Sequence, residues 1–269
     1  MSSRTRPYFF AALAIVIVVS GVLVGRHLRS GTTSLAADFD RLTAKLHAVA
    51  GLTVVAVGGR QASMALGHWQ TGPAWSTIKV PLVIAALREA RPPKVTDAMT
   101  KAITESDNAA AESLWTALGD PAAAATKVDA VLRQAGDPTV VQSRKVRPEF
   151  TAFGQTDWSL ADQVRFLSVA VCDKANAPIF ALMGRVEPDQ RWGVGTIQDA
   201  RFKGGWGPSA TGSYLVRQMG ILASPKGMVA VALAAQPDSG TFEDGKADLT
   251  EMADWLSSHL SSLPSGPCG

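Results

Sequence analysis

Cysteine and histidine are scarce in this chain, and their scarcity removes several classes of protein at once. With 2 cysteines and 4 histidines among 269 residues, neither a disulfide framework nor a thiolate zinc cluster can be built. His27, His47, His68 and His259 are scattered without metal-ligand spacing, so no metal or other cofactor is expected. Excess charge is also missing. The formal value is +3, yet Arg4, Arg6, Arg26 and Arg29 fall in the first 30 residues beside no acid, and 26 less these 4 leaves 22 basic against 23 acidic residues. A body so near neutrality has no basic face for a polyanion, which excludes nucleic acid as a partner. No internal repeat is present. Hydrophobic residues make up 46% of the chain, enough to bury the core of one large domain or two interlocked lobes.

One long apolar run exists. Residues 8–25, from Tyr8 to Gly25, contain a single clearly polar interruption, Ser20, and follow Arg4 and Arg6. Such a stretch marks export or membrane anchoring. Residues 1–30 therefore read as an uncleaved signal anchor that leaves the rest of the chain extracytoplasmic at the cell membrane. The other reading is a signal peptide, cut near the small residues Ser34-Leu35-Ala36, which would release a secreted protein. With no cysteine in this region, a lipid-anchored N-terminus is excluded. Cys172 sits in an apolar helical pattern and Cys268 in a Pro-rich tail. Either they pair in an oxidising compartment, or they remain a buried inert thiol and a loose terminal one.

Residues 31–37 read as a linker, followed by a helix over residues 38–49 with Phe39, Leu42, Leu46 and Val49 on one face. Leu52 to Val57 is a β-branched strand, Gly58-Gly59-Arg60 a turn, and Met64 to Leu66 the returning strand. A helix then begins at Ser76 and runs to Ala90, where Arg91-Pro92-Pro93 stops it. Pro81 lacks the donor for the Thr77 carbonyl, so a local distortion is expected there. From Thr96 to Gly184 the signals are helical: Thr96 as a cap, Asp120-Pro121 as a cap and first position, and Ser159-x-x-Asp162 as a capping box. Ala200 to Trp206, Gly212 to Ala223 and Met228 to Ala235 then read as strands, with Ser224-Pro225-Lys226-Gly227 as a hairpin turn. A helix from Lys246 to Leu260 closes the fold.

This order predicts an α+β domain over residues 38–263: a five-stranded antiparallel sheet flanked by N- and C-terminal helices, interrupted by an all-α insertion. The α/β lobe takes residues 38–72 and 190–263, and the all-α lobe residues 73–189. Residues 264–269 form a flexible tail.

Three short motifs carry chemistry. Ser76-Thr77-Ile78-Lys79 places a hydroxyl and an amine at i and i+3, on one face of a helix start. A serine becomes a nucleophile when a neighbouring base takes its proton, and a lysine stripped of its charge by burial is such a base. Ser106-Asp107-Asn108 opens an Ala-rich helix, and Lys203-Gly204-Gly205-Trp206 ends a strand. Each has a bland alternative: a capping serine above a solvated lysine, a helix cap, and an edge-strand turn. Their occurrence together, in this order, is far harder to produce by chance.

On these motifs the chain resembles the penicillin-recognising serine hydrolases, most closely the class A β-lactamases, whose motifs are Ser-x-x-Lys, Ser-Asp-Asn and Lys-Thr-Gly. Val95 to Met99, Ala102 to Ala110, Leu118-Gly119 and Val131 to Asp137 are also similar to that family's central helices. The resemblance covers roughly residues 38–260 and implies the β-lactamase/transpeptidase-like fold. It further implies Ser76 as nucleophile, Lys79 as its proton acceptor and Ser106 as proton relay to the leaving nitrogen. Asn108 would hold the acyl amide and Lys203 the substrate carboxylate. Backbone N–H groups of Ser76 and Trp206, beside Gly205, would form the oxyanion hole.

Two departures stand out. Gly204 replaces the Thr or Ser of the third motif, and the loss of one hydrogen bond to a charged group costs roughly 1.5 to 3 kcal/mol. The family's Glu-x-x-Leu-Asn loop is replaced by Arg147-Pro148-Glu149-Phe150-Thr151-Ala152-Phe153-Gly154. That leaves Glu149 as the candidate deacylating base, with Asp157 second. The expected activity is acyl transfer from β-lactams or D-alanyl cell-wall peptides, slow to deacylate, by a monomer. The alternative is a non-catalytic relative that binds cell-wall peptide or a partner protein through the same cleft.

Overall fold

A computed structural model describes residues 34–58 and 61–269. The apolar run at residues 8–25 and the turn residues 59 and 60 lie outside the described residues. Among the described residues no single helix is long and apolar enough to cross a membrane.

The fold is α+β, built on one five-stranded antiparallel sheet. Its strands are β1 (Ala48–Ala56), β2 (Met64–Gly67), β3 (Arg201–Pro208), β4 (Tyr214–Ser224) and β5 (Gly227–Pro237), in the order β2-β1-β5-β4-β3. The central strand β5 reads GMVAVALAAQP, apolar from Gly227 to Ala235 because both of its faces are covered there. Successive side chains point to opposite faces. Val229, Val231, Leu233 and Ala235 join one hydrophobic cluster, while Ala230, Ala232 and Ala234 join the other.

The first face is covered by α1 (34–43) and α8 (Phe242–His259). Phe39 meets Trp255 edge to face at 5.1 Å there. The second face carries the helical lobe: α2 (Lys79–Glu89), α3 (Asp97–Thr104), α4 (Asn108–Ala117), α5 (Pro121–Gln134), α6 (Leu160–Ala170) and α7 (Ala177–Met183). In α2 every residue from Lys79 to Leu87 is buried, as expected of a helix that is apolar all round. The caps formed as their residue types dictate. Thr96 accepts from Met99 N, Asp120 from Ala122 N and Ala123 N, and Ser159 from Asp162 N.

The helix expected over residues 38–49 instead occupies 34–43, so residues 34–37, read as linker, are helical. Ala48, Val49 and Ala50 pair with Pro237, Gln236 and Ala235, because the long strand β5 offers them a ladder that outweighs local helical preference. Val49, assigned to the buried face, is 49% exposed. At the other end, α8 starts at Phe242 rather than Lys246, capped by Thr241 through Asp244 N. The helix expected to begin at Ser76 opens with a 3₁₀ turn over Trp75–Ile78 and becomes α-helical at Lys79, two residues before Pro81.

Residues 264–269, read as a flexible tail, are tied to the body. Gly266 pairs with Met228 in both directions, and Cys268 is bonded to Cys172, 96 positions away. A cross-link closing so long a loop restricts the unfolded chain more than the folded one. Cys268→Ser is expected to lower the unfolding free energy by roughly 2–5 kcal/mol, read from urea melts of the oxidised protein. A loss below about 1 kcal/mol would show that the bond adds nothing to the fold.

Candidate active site

The site lies where the edge strand β3 passes the start of α2. Lys203, Gly205 and Gly207 share the β3 face toward the helical lobe. A Cβ on Gly205 would come within 2.9 Å of Ser76 N and Thr77 N, and one on Gly207 within 2.6 Å of the Trp75 ring. Only glycine permits this approach. It sets the strand backbone against the N–H groups of the turn that carries Ser76.

That turn is held from below by a network absent from the sequence reading. Arg217, fully buried on β4 opposite Gly205, donates to the carbonyls of Gly72, Pro73 and Trp158 and to Gln163 Oε1. Gln163 Nε2 donates to Thr77 Oγ1, which donates to Ala74 O. The signal was a single charge inside the apolar stretch Leu215 to Leu222. Trp75, immediately before Ser76, has φ of 48°, a left-handed conformation that a bulky residue adopts at a cost. Phe150, edge to face at 5.0 Å, and the bare backbone of Gly207 hold it there.

The three motifs meet around Ser106. Asp107 is the cap of α4, accepting from Ala110 N at 2.6 Å. Its cap geometry puts Ser106 at φ 58° and Asn108 on the first helical turn. Lys79 Nζ donates to Ser106 O at 2.5 Å and to Asn108 Oδ1 at 2.7 Å. Lys203 Nζ reaches the same serine from the other side, donating to Ser106 Oγ at 2.7 Å and Gly204 O at 2.9 Å. Both lysines are 1% exposed.

Burial pushes Lys79 down to about 7, against the opposing pull of Asp107 and Glu112. Burial, and then the Lys79 charge, push Lys203 well below the usual lysine range. A neutral Lys79 amine has two N–H bonds, both matched by Ser106 O and Asn108 Oδ1, and one lone pair remaining. Among the described residues, Ser76 Oγ makes no hydrogen bond.

Ser76 opens on a cleft of about 440 Å³ lined by Asn108, Trp206 and Tyr214 among others. Glu149 also lines it, 53% exposed, with Oε1 accepting from Arg147 Nε at 3.1 Å and ion-paired to Arg147 Nη2 at 3.0 Å. Arg147 in turn donates to Pro208 O, strapping the loop to β3. Asp157, the second candidate, lies in the adjoining hollow with Arg147 and Gln155, on the far side of that strap. Gly204 faces away from the cleft, where a Cβ would touch Trp192 at an ordinary 3.5 Å. Among the described residues no group of three or more acids, histidines or cysteines gathers to hold a metal.

Solved structures with the same path of chain include a class A β-lactamase from Mycobacterium abscessus, at 14% identity and TM-score 0.65 over 83% of this chain and 98% of that one. Another, representative of class A β-lactamases, is from Bacteroides cellulosilyticus, at 15% identity and TM-score 0.68 over 87% and 99%. A third is a β-lactamase from Streptosporangium roseum, at 15% identity and TM-score 0.64 over 86% and 100%. The chain has the class A β-lactamase fold. No protein-family model and no curated protein matches the sequence. Within the β-lactamase fold, Ser76, Lys79, Ser106, Asn108, Lys203 and Gly205 come together between the sheet edge and the helical lobe, and Glu149 stands at the rim.

Proposed function

We propose that this chain is an exported, membrane-tethered serine hydrolase that takes acyl groups from β-lactams or D-alanyl cell-wall peptides onto Ser76 and releases them slowly. The observation that carries the reading is the buried amine of Lys79, lowered to about 7 and bonded to Ser106 O and Asn108 Oδ1 beside the nucleophile turn. In this reading Lys79 takes the Ser76 proton as Oγ attacks the acyl carbon. The oxyanion forms against the N–H groups of Ser76 and Trp206. Ser106, bonded to Lys203, passes a proton to the departing nitrogen. Asn108 holds the acyl amide, and Lys203 meets the substrate carboxylate. The apolar run at residues 8–25 and the bond between Cys172 and Cys268 both support an oxidising compartment outside the cytoplasm.

Slow release follows from the loop, whose carboxylate Glu149 is engaged by Arg147. Intact-mass measurement of the full chain after penicillin tests the reading. A protein heavier by one penicillin, persisting for many minutes, is expected. Rapid return to the free mass would overturn slow release, and no mass gain would overturn acyl transfer itself. Gly204→Ser, whose side chain would leave the strand away from the cleft toward Trp192 at ordinary contact distance, is expected to change the acylation rate by less than about threefold, because its hydroxyl does not face the substrate. Stopped-flow acylation rates measure it, and a roughly tenfold gain would show that the side chain at this position does reach the substrate carboxylate.

A further inference from the structure

Hydrolysis of an acyl-serine ester needs a base for the attacking water, and two carboxylates line the cleft beside Ser76: Glu149 on the loop and Glu112 on α4. We infer that Glu112, rather than Glu149, is the general base that activates water on the Ser76 ester. This rests on the hydrolase reading given above.

Glu112 stands one helical turn beyond Asn108, so the two side chains leave α4 on the same face, into the same cleft. A helix holds a reacting group more firmly than a loop does. The charge of Glu112 is felt at Lys79, where together with Asp107 it opposes the effect of burial. It therefore lies near the amine that flanks the nucleophile. Asp107 is occupied as the α4 cap, accepting from Ala110 N. Glu149 is occupied by Arg147, which is itself fixed to Pro208 O. Among the described residues Glu112 accepts no hydrogen bond, and its ion-pair partner is Lys145 at 3.7 Å, beyond hydrogen-bonding distance. Its oxygens are open to a water.

The step balances with no co-reactant. Water oxygen bonds to the acyl carbon as Glu112 takes one water proton, giving a tetrahedral oxyanion. Collapse of that intermediate breaks the bond from carbon to Ser76 Oγ, and the proton held by Glu112 returns to Oγ. The products are a carboxylic acid and free Ser76, with Glu112 again ionised. The charged groups around Glu112 are Lys145 and Glu149 from the loop, Asp107 on its own helix, Lys79 on α2, and Lys203 on β3 behind Lys79.

The test uses the full chain, a chromogenic cephalosporin and intact mass. Glu112→Gln should keep the acylation burst and prolong the adduct roughly hundredfold, whereas Glu149→Gln should change its lifetime by less than about threefold. The burst rate of Glu112→Gln should match that of wild type and Glu149→Gln within about threefold, so that only the step after the burst moves. The assignment is overturned if Glu112→Gln clears its adduct at the wild-type rate, or if Glu149→Gln is the slow variant. It is also overturned if Glu112→Gln slows the burst as much as it slows release, which would mark a structural role. A wild type without any burst would overturn the hydrolase reading, and this assignment with it.

Discussion

Ser76→Ala is expected to abolish covalent labelling by a fluorescent penicillin, a loss on the order of 10³-fold or more, while the protein folds and melts as wild type does. The two halves of that expectation have separate physical grounds. Removing Oγ removes the atom that must bond to the acyl carbon. The turn that carries it is held by other groups: Thr77 Oγ1 to Ala74 O, Gln163 Nε2 to Thr77 Oγ1, and the buried Arg217 to Gly72 O and Pro73 O. Ser76 Oγ itself has no hydrogen bond among the described residues, so the fold does not depend on it. Labelled bands on a denaturing gel measure the loss, with a thermal melt run beside them. Persistent label on a folded Ser76→Ala protein would move the nucleophile elsewhere and undo the proposed reaction.

Lys79→Met is expected to slow acylation by about 10² to 10⁴-fold, the usual contribution of a positioned general base. The pH dependence of the wild type shares the same cause and carries a definite sign. A base must be unprotonated to accept the Ser76 proton, and Lys79 is lowered to about 7. Acylation should therefore fall roughly tenfold per unit of pH below that value, and level off above it. Single-turnover rates from pH 5 to 9 measure the profile. Lys79→Arg should be as inactive as the methionine variant, because a guanidinium stays protonated throughout this range. A wild-type profile flat down to pH 5 would remove Lys79 from the proton transfer.

Much of this was legible in the order of residues. The apolar strand run from Met228 to Ala235, the capping signatures at Thr96, Asp120 and Ser159, and the proline stop after Ala90 are local rules, and the chain obeyed them. Ser-x-x-Lys, Ser-Asp-Asn and Lys-Gly-Gly were legible as motifs for a related reason. Each is a short run whose backbone setting, a turn into a helix, a cap or a strand end, is written in its own residues. Where expectation missed, a distant partner had intervened. Residues 48–50 left the helix because β5 offered them hydrogen bonds, and the tail was bound because Cys172 and Met228 lay within reach.

Fold class, the helical insertion and the identity of the groups that would have to meet are set by local residue patterns. What those groups become once they meet depends on their packing in space. Lys79 sits near 7 because the lobes close around it, Arg217 braces a turn about 145 positions away, and Glu112 shares a cleft with Ser76 because α4 rises beside α2. Proton affinity and reach depend on the dielectric and the neighbours in space. Neither is a property of any stretch of chain read alone.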